Sequence, residues 1–144
     1  MKNDLSISDA SSTGMSNLSN IEEAVDVFRK VGNKNLILCE RGVSSPHTHR
    51  ETSRFILDIQ AIPALQEITS LPVISDPSHA SFWAPWVPSL TYASIAAGCD
   101  GLIIEIHKNP KKSAVDPLQP LNFNQFKKLI KESRRIAKAL NRRI

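Results

Sequence analysis

Four residues spread along the chain have side chains that could act together in chemistry: Arg41, His79, Glu105 and Asp116. One imidazole and two carboxylates form a mixed nitrogen and oxygen set, which suits a divalent metal ion such as Mn, Fe, Co or Zn. The arginine carries a planar fork that suits a phosphate or a carboxylate, although a lone arginine at a strand end is as often part of a structural ion pair. From spacing alone, scattered surface residues remain the alternative to a metal site.

The positions of these residues relative to three short apolar runs favour a shared site. The runs, each predicted to be a buried strand, are 36–40, 72–76 and 101–106. Arg41 follows the first run directly, His79 lies three residues beyond the second, and Glu105 is near the end of the third. In a (β/α) barrel the carboxyl ends of the strands form the active-site face. We therefore expect these three side chains to converge there, with Asp116 available from the following loop.

Alternation along the third strand predicts the direction of its glutamate. Successive side chains of a strand point to opposite faces, so one face carries Ile103, Glu105 and His107. The other face is entirely apolar and suits contact with helices; it carries Leu102, Ile104 and Ile106. Glu105 is therefore expected to point into the barrel, where a carboxylate needs a cation or a metal as its partner.

Helices are predicted on either side of these strands, at about 19–31, 59–70, 87–98 and 122–140. Ser19 and Glu22 form a capping box for the first helix, and Gly32 is well placed to end it. One face of this helix is apolar and consists of Ile21, Val25, Phe28 and Val31. Asn122 and Gln125 supply the N-cap and N3 residues of the last helix. Its predicted inner face consists of Phe126, Ile130, Ser133, Ala137 and Leu140.

The order of elements predicts the fold class. Apolar strands that alternate with amphipathic helices indicate a parallel sheet covered by helices, and no strand is followed by a glycine-rich phosphate fingerprint. The segments 41–54, 76–79 and 108–120 are predicted to be loops, and residues 1–20 a weakly structured segment. We expect an α/β fold, a partial TIM (β/α) barrel over 21–144. Because three strands cannot close an eight-stranded barrel, we expect part of the barrel to be absent.

Composition and charge exclude several classes of protein. With 41% hydrophobic and 22% charged residues the chain resembles a globular protein, and it contains neither an apolar run long enough to span a bilayer nor a signal peptide. Cys39 and Cys99 lie in apolar surroundings and are predicted to be buried thiols. We expect a cytoplasmic protein with no membrane partner.

The net charge of +4 is concentrated near the carboxyl terminus, where eight of the eighteen Lys and Arg residues lie between Lys127 and Arg143. A basic helix of this kind could bind nucleic acid, in which case neutralising Lys127, Lys128 and Lys131 would abolish a salt-sensitive affinity. The more common interpretation is a solvated outer face of the last helix. We adopt it and expect no nucleic-acid partner.

Two further groups of residues could have a function, although the sequence supports it less strongly. His47 and His49 have the spacing of a ligand pair, but no third ligand lies nearby in the polar loop. Phe82, Trp83 and Trp86 could form a stacking surface, although covering the end of the barrel is the favoured role.

Several short motifs resemble, in order and spacing, those of the 3-deoxy-7-phosphoheptulonate (DAHP) synthase and 3-deoxy-octulosonate 8-phosphate synthase superfamily. They are Leu-Cys-Glu-Arg-Gly at 38–42, Asp-Pro-Ser-His at 76–79, Ala-Ala-Gly-Cys-Asp-Gly at 96–101 and Leu-Ile-Ile-Glu-Ile-His at 102–107. The segment 116–121 looks like the family's Asp-x-x-Gln-x-Leu. The resemblance extends from about Thr13 to the carboxyl terminus and favours DAHP synthase over the octulosonate enzyme.

The resemblance implies roles for the four residues. Arg41 would be a catalytic residue that binds phosphoenolpyruvate, and His79, Glu105 and Asp116 would be ligands of the divalent metal ion. The implied reaction is the aldol condensation of phosphoenolpyruvate with erythrose 4-phosphate, the first step of the shikimate pathway to aromatic amino acids. An octulosonate synthase-like enzyme is the alternative, and a non-catalytic remnant or a subunit of a split synthase is another.

Departures from the family pattern predict that the isolated chain is inactive. The family takes its cysteine metal ligand and several phosphate-binding residues from the first half of the barrel, which this chain lacks. Trp83 and Ala84 also stand where basic residues are common. An open parallel sheet leaves unpaired edges. We therefore expect either a homo-oligomer or a pairing with a complementary N-terminal half.

Overall fold

A computed structural model describes residues 18–32, 35–46, 49–52 and 55–143 of the chain. The segment predicted to be weakly structured, residues 1–20, therefore lies almost entirely outside the described residues. The first helix begins at Leu18, so Ser19 lies within it and not at its N-cap, contrary to the prediction. The side chains of Ser19 and Glu22 lie outside the described residues.

Five α-helices, a short 3-10 helix (Pro110–Lys112) and five short strands make up the described fold. The helices are α1 (Leu18–Lys30), α2 (Ala61–Ile68), α3 (Pro77–Ser81), α4 (Val87–Ala97) and α5 (Phe123–Ala139). The strands are β1 (Leu38–Glu40), β2 (Val43–Ser44), β3 (Phe55–Ile56), β4 (Val73–Ser75) and β5 (Gly101–Leu102). The predicted alternation of strands and helices is thereby confirmed.

Strands β1, β4 and β5 form a parallel sheet with β4 in the centre. Leu38 lies opposite Val73 in the first pair, and Ser75 lies opposite Leu102 in the second. Because the strands are parallel and in sequence order, their carboxyl ends lie at one edge of the sheet, where the segments that follow them meet.

Two clusters of buried apolar residues hold helices against this sheet. The larger joins α1, α2 and the strands and contains Val25, Leu36, Leu38, Ile62, Leu65, Val73 and Cys99. The smaller joins α4 to α5 through Val87, Leu121 and Leu129. Burial of Ser133 and Ala137 confirms this part of the predicted inner face of α5, and Leu129, which was not predicted to lie on it, is buried as well. The predicted Asn122–Gln125 capping box is present with bonds of 2.8 and 2.9 Å.

Three sequence-based boundaries were wrong. The stretch 41–54 is not simply a loop, because β2 within it pairs in antiparallel fashion with β3. The segment after β4 is not a loop either, since Asp76 caps α3 and Pro77 occupies its first turn. The third strand pairs only over Gly101–Leu102; beyond it the backbone N–H of Glu105 bonds to Ser78 Oγ at 3.0 Å instead of to a neighbouring strand.

The predicted apolar faces of the first and last helices are wrong at their carboxyl ends. Val31 is 75% exposed and Leu140 is 43% exposed, because α1 ends at Lys30 and α5 at Ala139, so neither residue continues the helical face. The basic residues of α5 are exposed, as predicted for a solvated outer face. Among the described residues, no helix is both long and apolar enough to cross a membrane.

Candidate functional site

Asp76 lies at the carboxyl end of the central strand and organises the residues around it. Its side chain is 2% exposed. Oδ1 accepts the backbone N–H of His79 at 3.1 Å, which caps α3, and Oδ2 lies 2.8 Å from His79 Nδ1. Oδ2 also lies 3.4 Å from Nε of Arg41. One buried carboxylate therefore joins a cation from the end of β1 to an imidazole on α3.

His79 is held in a defined orientation by this contact. A carboxylate oxygen can only accept, so Nδ1 must donate to Asp76, and in the neutral imidazole Nε2 is left with its lone pair. Nε2 lies 3.8 Å from Oε2 of Glu105. A histidine that donates one nitrogen to a carboxylate and presents the other to a second ligand has the arrangement found around metal-binding histidines.

Glu105 lies beyond the end of β5 and is held by contacts with two other segments of the chain. Its backbone N–H donates to Ser78 Oγ at 3.0 Å, and its Oε2 accepts from Nε2 of Gln119. Gln119 is wholly buried, and Glu105 is about one-quarter exposed. The side chain of Glu105 thus faces His79, whereas its expected direction into the interior of a barrel stays a prediction.

The backbone around Arg41 is held by a buried glutamate. Oε1 of Glu40 accepts from the backbone N–H of Gly42 at 2.8 Å and from that of Asp58 at 3.0 Å. Burial raises the pKa of the Glu40 carboxyl, although these two hydrogen bonds oppose the rise. Gly42 has a φ of 103°, and a Cβ on it would lie 2.8 Å from Cβ of Phe55. The Arg41 side chain extends from this rigid turn and remains 40% exposed.

Cys39 lies in β1 next to Glu40, but its thiol is not equipped to act as a nucleophile. Burial, followed by the nearby charges of Asp76 and Glu40, raises its pKa to about 12. A thiol with such a pKa is protonated at neutral pH, and the thiol is a poor nucleophile and metal ligand. Cys39 and Cys99 are both free; Cys99 is buried as predicted, whereas Cys39 is only partly buried.

Asp116 does not join the other predicted ligands. It is exposed in the loop before α5 and has a φ of 45°, a left-handed backbone conformation that aspartate tolerates better than most residues. Within the parts of the chain that the structure describes, no group of three or more His, Cys, Asp or Glu side chains is arranged to hold a metal ion. The structure thus brings Arg41, His79 and Glu105 together through Asp76, and the three-ligand set stays a prediction.

Aromatic residues cover the carboxyl edge of the sheet beside this group. The guanidinium of Arg50 lies 3.6 Å from the ring centre of Trp83, and the ring of His49 meets Trp86 edge-on at 6.4 Å. These contacts tie the segment between β2 and β3 to the segment after α3, which supports the covering role over a free stacking surface. His47 lies outside the described residues, so the suggested His47–His49 ligand pair stays a prediction.

Two residues that complete the site were not proposed as functional from the sequence. Asp76 stands immediately before Pro77, and an Asp followed by Pro is a recognised helix start; read that way, it would have placed the carboxylate beside His79. Gln119 stands in the segment 116–121 that resembles the family's Asp-x-x-Gln-x-Leu, but nothing in a loop sequence indicates which side chain it contacts. Gln119 and Glu105 are fourteen positions apart in the sequence, although their side chains are hydrogen-bonded.

Comparison with known proteins shows the family of the chain. The model of the DAHP synthetase I family matches residues 6–141 of the chain. The chain belongs to this family. The phospho-2-dehydro-3-deoxyheptonate aldolase of Thermotoga maritima is 37% identical over 126 residues, covering 85% of the chain and 36% of that relative. A 2-dehydro-3-deoxyphosphooctonate aldolase of Desulfosudis oleivorans is 33% identical over 122 residues, covering 76% of the chain and 42% of that relative.

Solved structures of the family confirm the fold. The crystal structure of the Thermotoga maritima phospho-2-dehydro-3-deoxyheptonate aldolase (DAHP synthase) matches with a TM-score of 0.81 at 35% identity, covering 90% of this chain and 37% of that one. A truncated form of 3-deoxy-D-arabino-heptulosonate 7-phosphate synthase from the same organism matches with a TM-score of 0.82, and 48% of it is covered. The chain is thus a partial TIM barrel that spans less than half the length of these relatives.

Proposed function

We propose that this chain provides the part of a DAHP synthase active site that binds phosphoenolpyruvate and a divalent metal. The proposed reaction is the aldol condensation of phosphoenolpyruvate with erythrose 4-phosphate at the entry to the shikimate pathway, in the cytoplasm. The enol carbon of phosphoenolpyruvate forms a bond to the aldehyde carbon, water adds to the adjacent carbon, and inorganic phosphate leaves. The observation that carries the proposal is the connected group Arg41–Asp76–His79–Glu105 at the carboxyl edge of the sheet.

Arg41 is proposed to bind the anionic groups of phosphoenolpyruvate. Its Nε is directed to Asp76 at 3.4 Å, an arrangement that leaves the two terminal nitrogens of the guanidinium for a ligand. A planar fork of this kind matches a carboxylate or a phosphate through two parallel hydrogen bonds. Because the flanking backbone is fixed by Glu40, the guanidinium is positioned before the ligand arrives.

His79 and Glu105 are proposed to be two ligands of the metal, with Asp116, which does not join them in the described structure, recruited from its loop as a third. The donor set fits a divalent ion of the Mn, Fe, Co or Zn group, since it combines an imidazole with carboxylates. The hydrogen bond from Nδ1 to Asp76 supports this role, because it leaves Nε2 as the basic nitrogen. A bound metal would act as a Lewis acid that polarises the aldehyde of the second substrate.

An octulosonate synthase-like activity is the second candidate. It is supported by the match to the 2-dehydro-3-deoxyphosphooctonate aldolase of Desulfosudis oleivorans at 33% identity. An octonate product is one carbon longer than a heptonate, so this enzyme would take a five-carbon aldehyde phosphate in place of the four-carbon one.

A partner that completes the barrel is part of the proposal. In the three-stranded sheet, β1 and β5 are both edge strands, and Ile37, Ile103 and Ile106 nearby are 42–49% exposed. Exposed apolar edges of this kind favour association with another chain. We propose a complementary N-terminal half or a second copy as the partner; a remnant without a partner would have no activity.

The proposal is tested by co-expressing the chain with the amino-terminal half of the Thermotoga maritima relative. Phosphate release from phosphoenolpyruvate is then measured with Mn²⁺ and either a four-carbon or a five-carbon aldose phosphate. We expect release with the four-carbon aldehyde, none from the chain alone, and none when His79→Ala is introduced. His49→Ala, an exposed histidine at the edge of the site, serves as the matched control. Absence of release from every folded complex would contradict the proposal, and preference for the five-carbon aldehyde would favour the second candidate.

A further inference from the structure

We propose that Gln119 is a positioning residue for Glu105, which it holds toward His79 and thereby strengthens metal binding. The inference rests on the proposed function, because it concerns the metal site described there. Gln119 is wholly buried, and its Nε2 donates to Oε2 of Glu105. The same oxygen lies 3.8 Å from Nε2 of His79. The direction of this carboxylate is therefore set by Gln119, while the backbone of Glu105 is held by its bond to Ser78.

The backbone on both sides of Gln119 is held by hydrogen bonds, which fix the position from which its side chain extends. The carbonyl of Leu118 accepts the backbone N–H of Ala84 at 2.8 Å. On the other side, the N–H of Leu121 donates to the carbonyl of Glu105 at 2.9 Å, and Leu121 is itself wholly buried. Residues on either side of Gln119 are thus bonded to the segment after α3 and to the backbone of Glu105, which holds Gln119 close to the carboxylate to which it donates.

The chemistry of the amide indicates that packing is not the reason for a glutamine here. A carboxylate can only accept hydrogen bonds, so the amide nitrogen must face Glu105 and the amide oxygen must face away. That oxygen, Oε1, is buried and has no hydrogen-bond partner. A buried acceptor without a partner destabilises the fold, whereas methionine would fill a similar volume without this penalty. The amide is therefore explained by its bond to Glu105.

The effect on metal binding is measured by titrating the purified full chain with Mn²⁺ alone and following the free ion by electron paramagnetic resonance. Loss of a group that orients a metal ligand weakens metal affinity by about 10- to 100-fold, and we expect Gln119→Met to fall in that range. Ser133→Ala is the matched control, because Ser133 is also buried with an unpartnered hydroxyl but lies on α5. A folded Gln119→Met variant with wild-type affinity would overturn the inference.

A second measurement needs no metal and no substitution at Gln119. The side-chain amide protons of Gln119 are observed by nuclear magnetic resonance in the wild-type chain and in Glu105→Ala. The bond to a charged oxygen should shift one amide proton downfield, and the shift should disappear in the variant. An unchanged resonance overturns the positioning role, even if Gln119→Met does not fold. If the wild-type chain takes up no Mn²⁺, the proposed metal site fails, whereas the amide resonance still decides whether Gln119 positions Glu105.

Discussion

Substitution of Asp76 by asparagine should both destabilise the fold and change the histidine that Asp76 orients. Both oxygens of Asp76 are in use: Oδ1 accepts the backbone N–H of His79, and Oδ2 faces Nδ1 of His79 at 2.8 Å and Nε of Arg41 at 3.4 Å. Asparagine has one oxygen and one NH₂ group. Whichever way the amide is turned, one of these acceptors is replaced by a donor that faces another donor.

The expected loss of stability follows from these contacts. A hydrogen bond to a charged group contributes about 1.5–3 kcal/mol, and Asp76 is buried, so little of this is recovered from water. The Arg41 side chain is 40% exposed, so its ion pair adds no more than about 1 kcal/mol. The free energy of unfolding should therefore fall by about 2–4 kcal/mol. For a chain of this size that corresponds to a decrease in Tm of about 6–12 °C.

Urea denaturation and nitrogen resonances of the imidazole check the two parts of this prediction. In the wild-type chain the neutral His79 should carry its proton on Nδ1, and in Asp76→Asn a larger fraction should carry it on Nε2. The matched control is Asp58→Asn, because Asp58 Oδ1 caps Gln60 and Ala61 at 3.0 and 3.3 Å and asparagine keeps that oxygen. Asp58→Asn should cost less than about 1 kcal/mol. Equal losses in the two variants, with an unchanged tautomer, would refute the reasoning.

Two further predictions, each tested with two substitutions, concern other parts of the fold. Tyr92 is the single tyrosine of the chain, and burial together with its bond to Glu132 raises its pKa to about 12. Ultraviolet absorbance should therefore show no tyrosinate until well above pH 10. Glu132→Gln should lower the midpoint pH of this titration. Because the folded pKa of this acid is raised, stability should be lost as the pH rises from about 10 through about 12, and Tyr92→Phe should remove that loss. Gly42→Ala should destabilise the fold by about 2–4 kcal/mol, because it adds a steric clash to a positive φ. Gly32 has a positive φ but open space around it, so Gly32→Ala should destabilise the fold by only about 1 kcal/mol. Thermal melts of the two variants measure the difference.

The alternation of elements was predictable because its signals are local. The capping box of Asn122 and Gln125 and the left-handed Gly98 at the end of α4 depend only on residues a few positions apart. The apolar runs of the parallel strands are equally local signals. Residue patterns of this kind act within one turn or one strand, so the sequence alone is sufficient to recognise them.

Pairings between distant segments were not predictable in the same way. Strands β2 and β3 are each two residues long, and their pairing depends on the close approach of Gly42 to Phe55 and Ala80. The contact between Glu105 and Gln119 likewise depends on a backbone bond that is visible only in the fold. The spacing of Arg41, His79 and Glu105 relative to strand ends did predict their convergence, because parallel strands bring their carboxyl ends to one edge.

The central claim is that His79 and Glu105 share a metal ion at this edge of the sheet, which makes a crystal structure of the chain grown with excess Mn²⁺ its most direct test. Anomalous scattering identifies the ion without reference to any catalytic activity. We predict a manganese peak in contact with Nε2 of His79 and a carboxylate oxygen of Glu105, with Nδ1 of His79 still bonded to Asp76. A structure in which manganese binds elsewhere, or in which these two side chains remain free of it, would contradict the account.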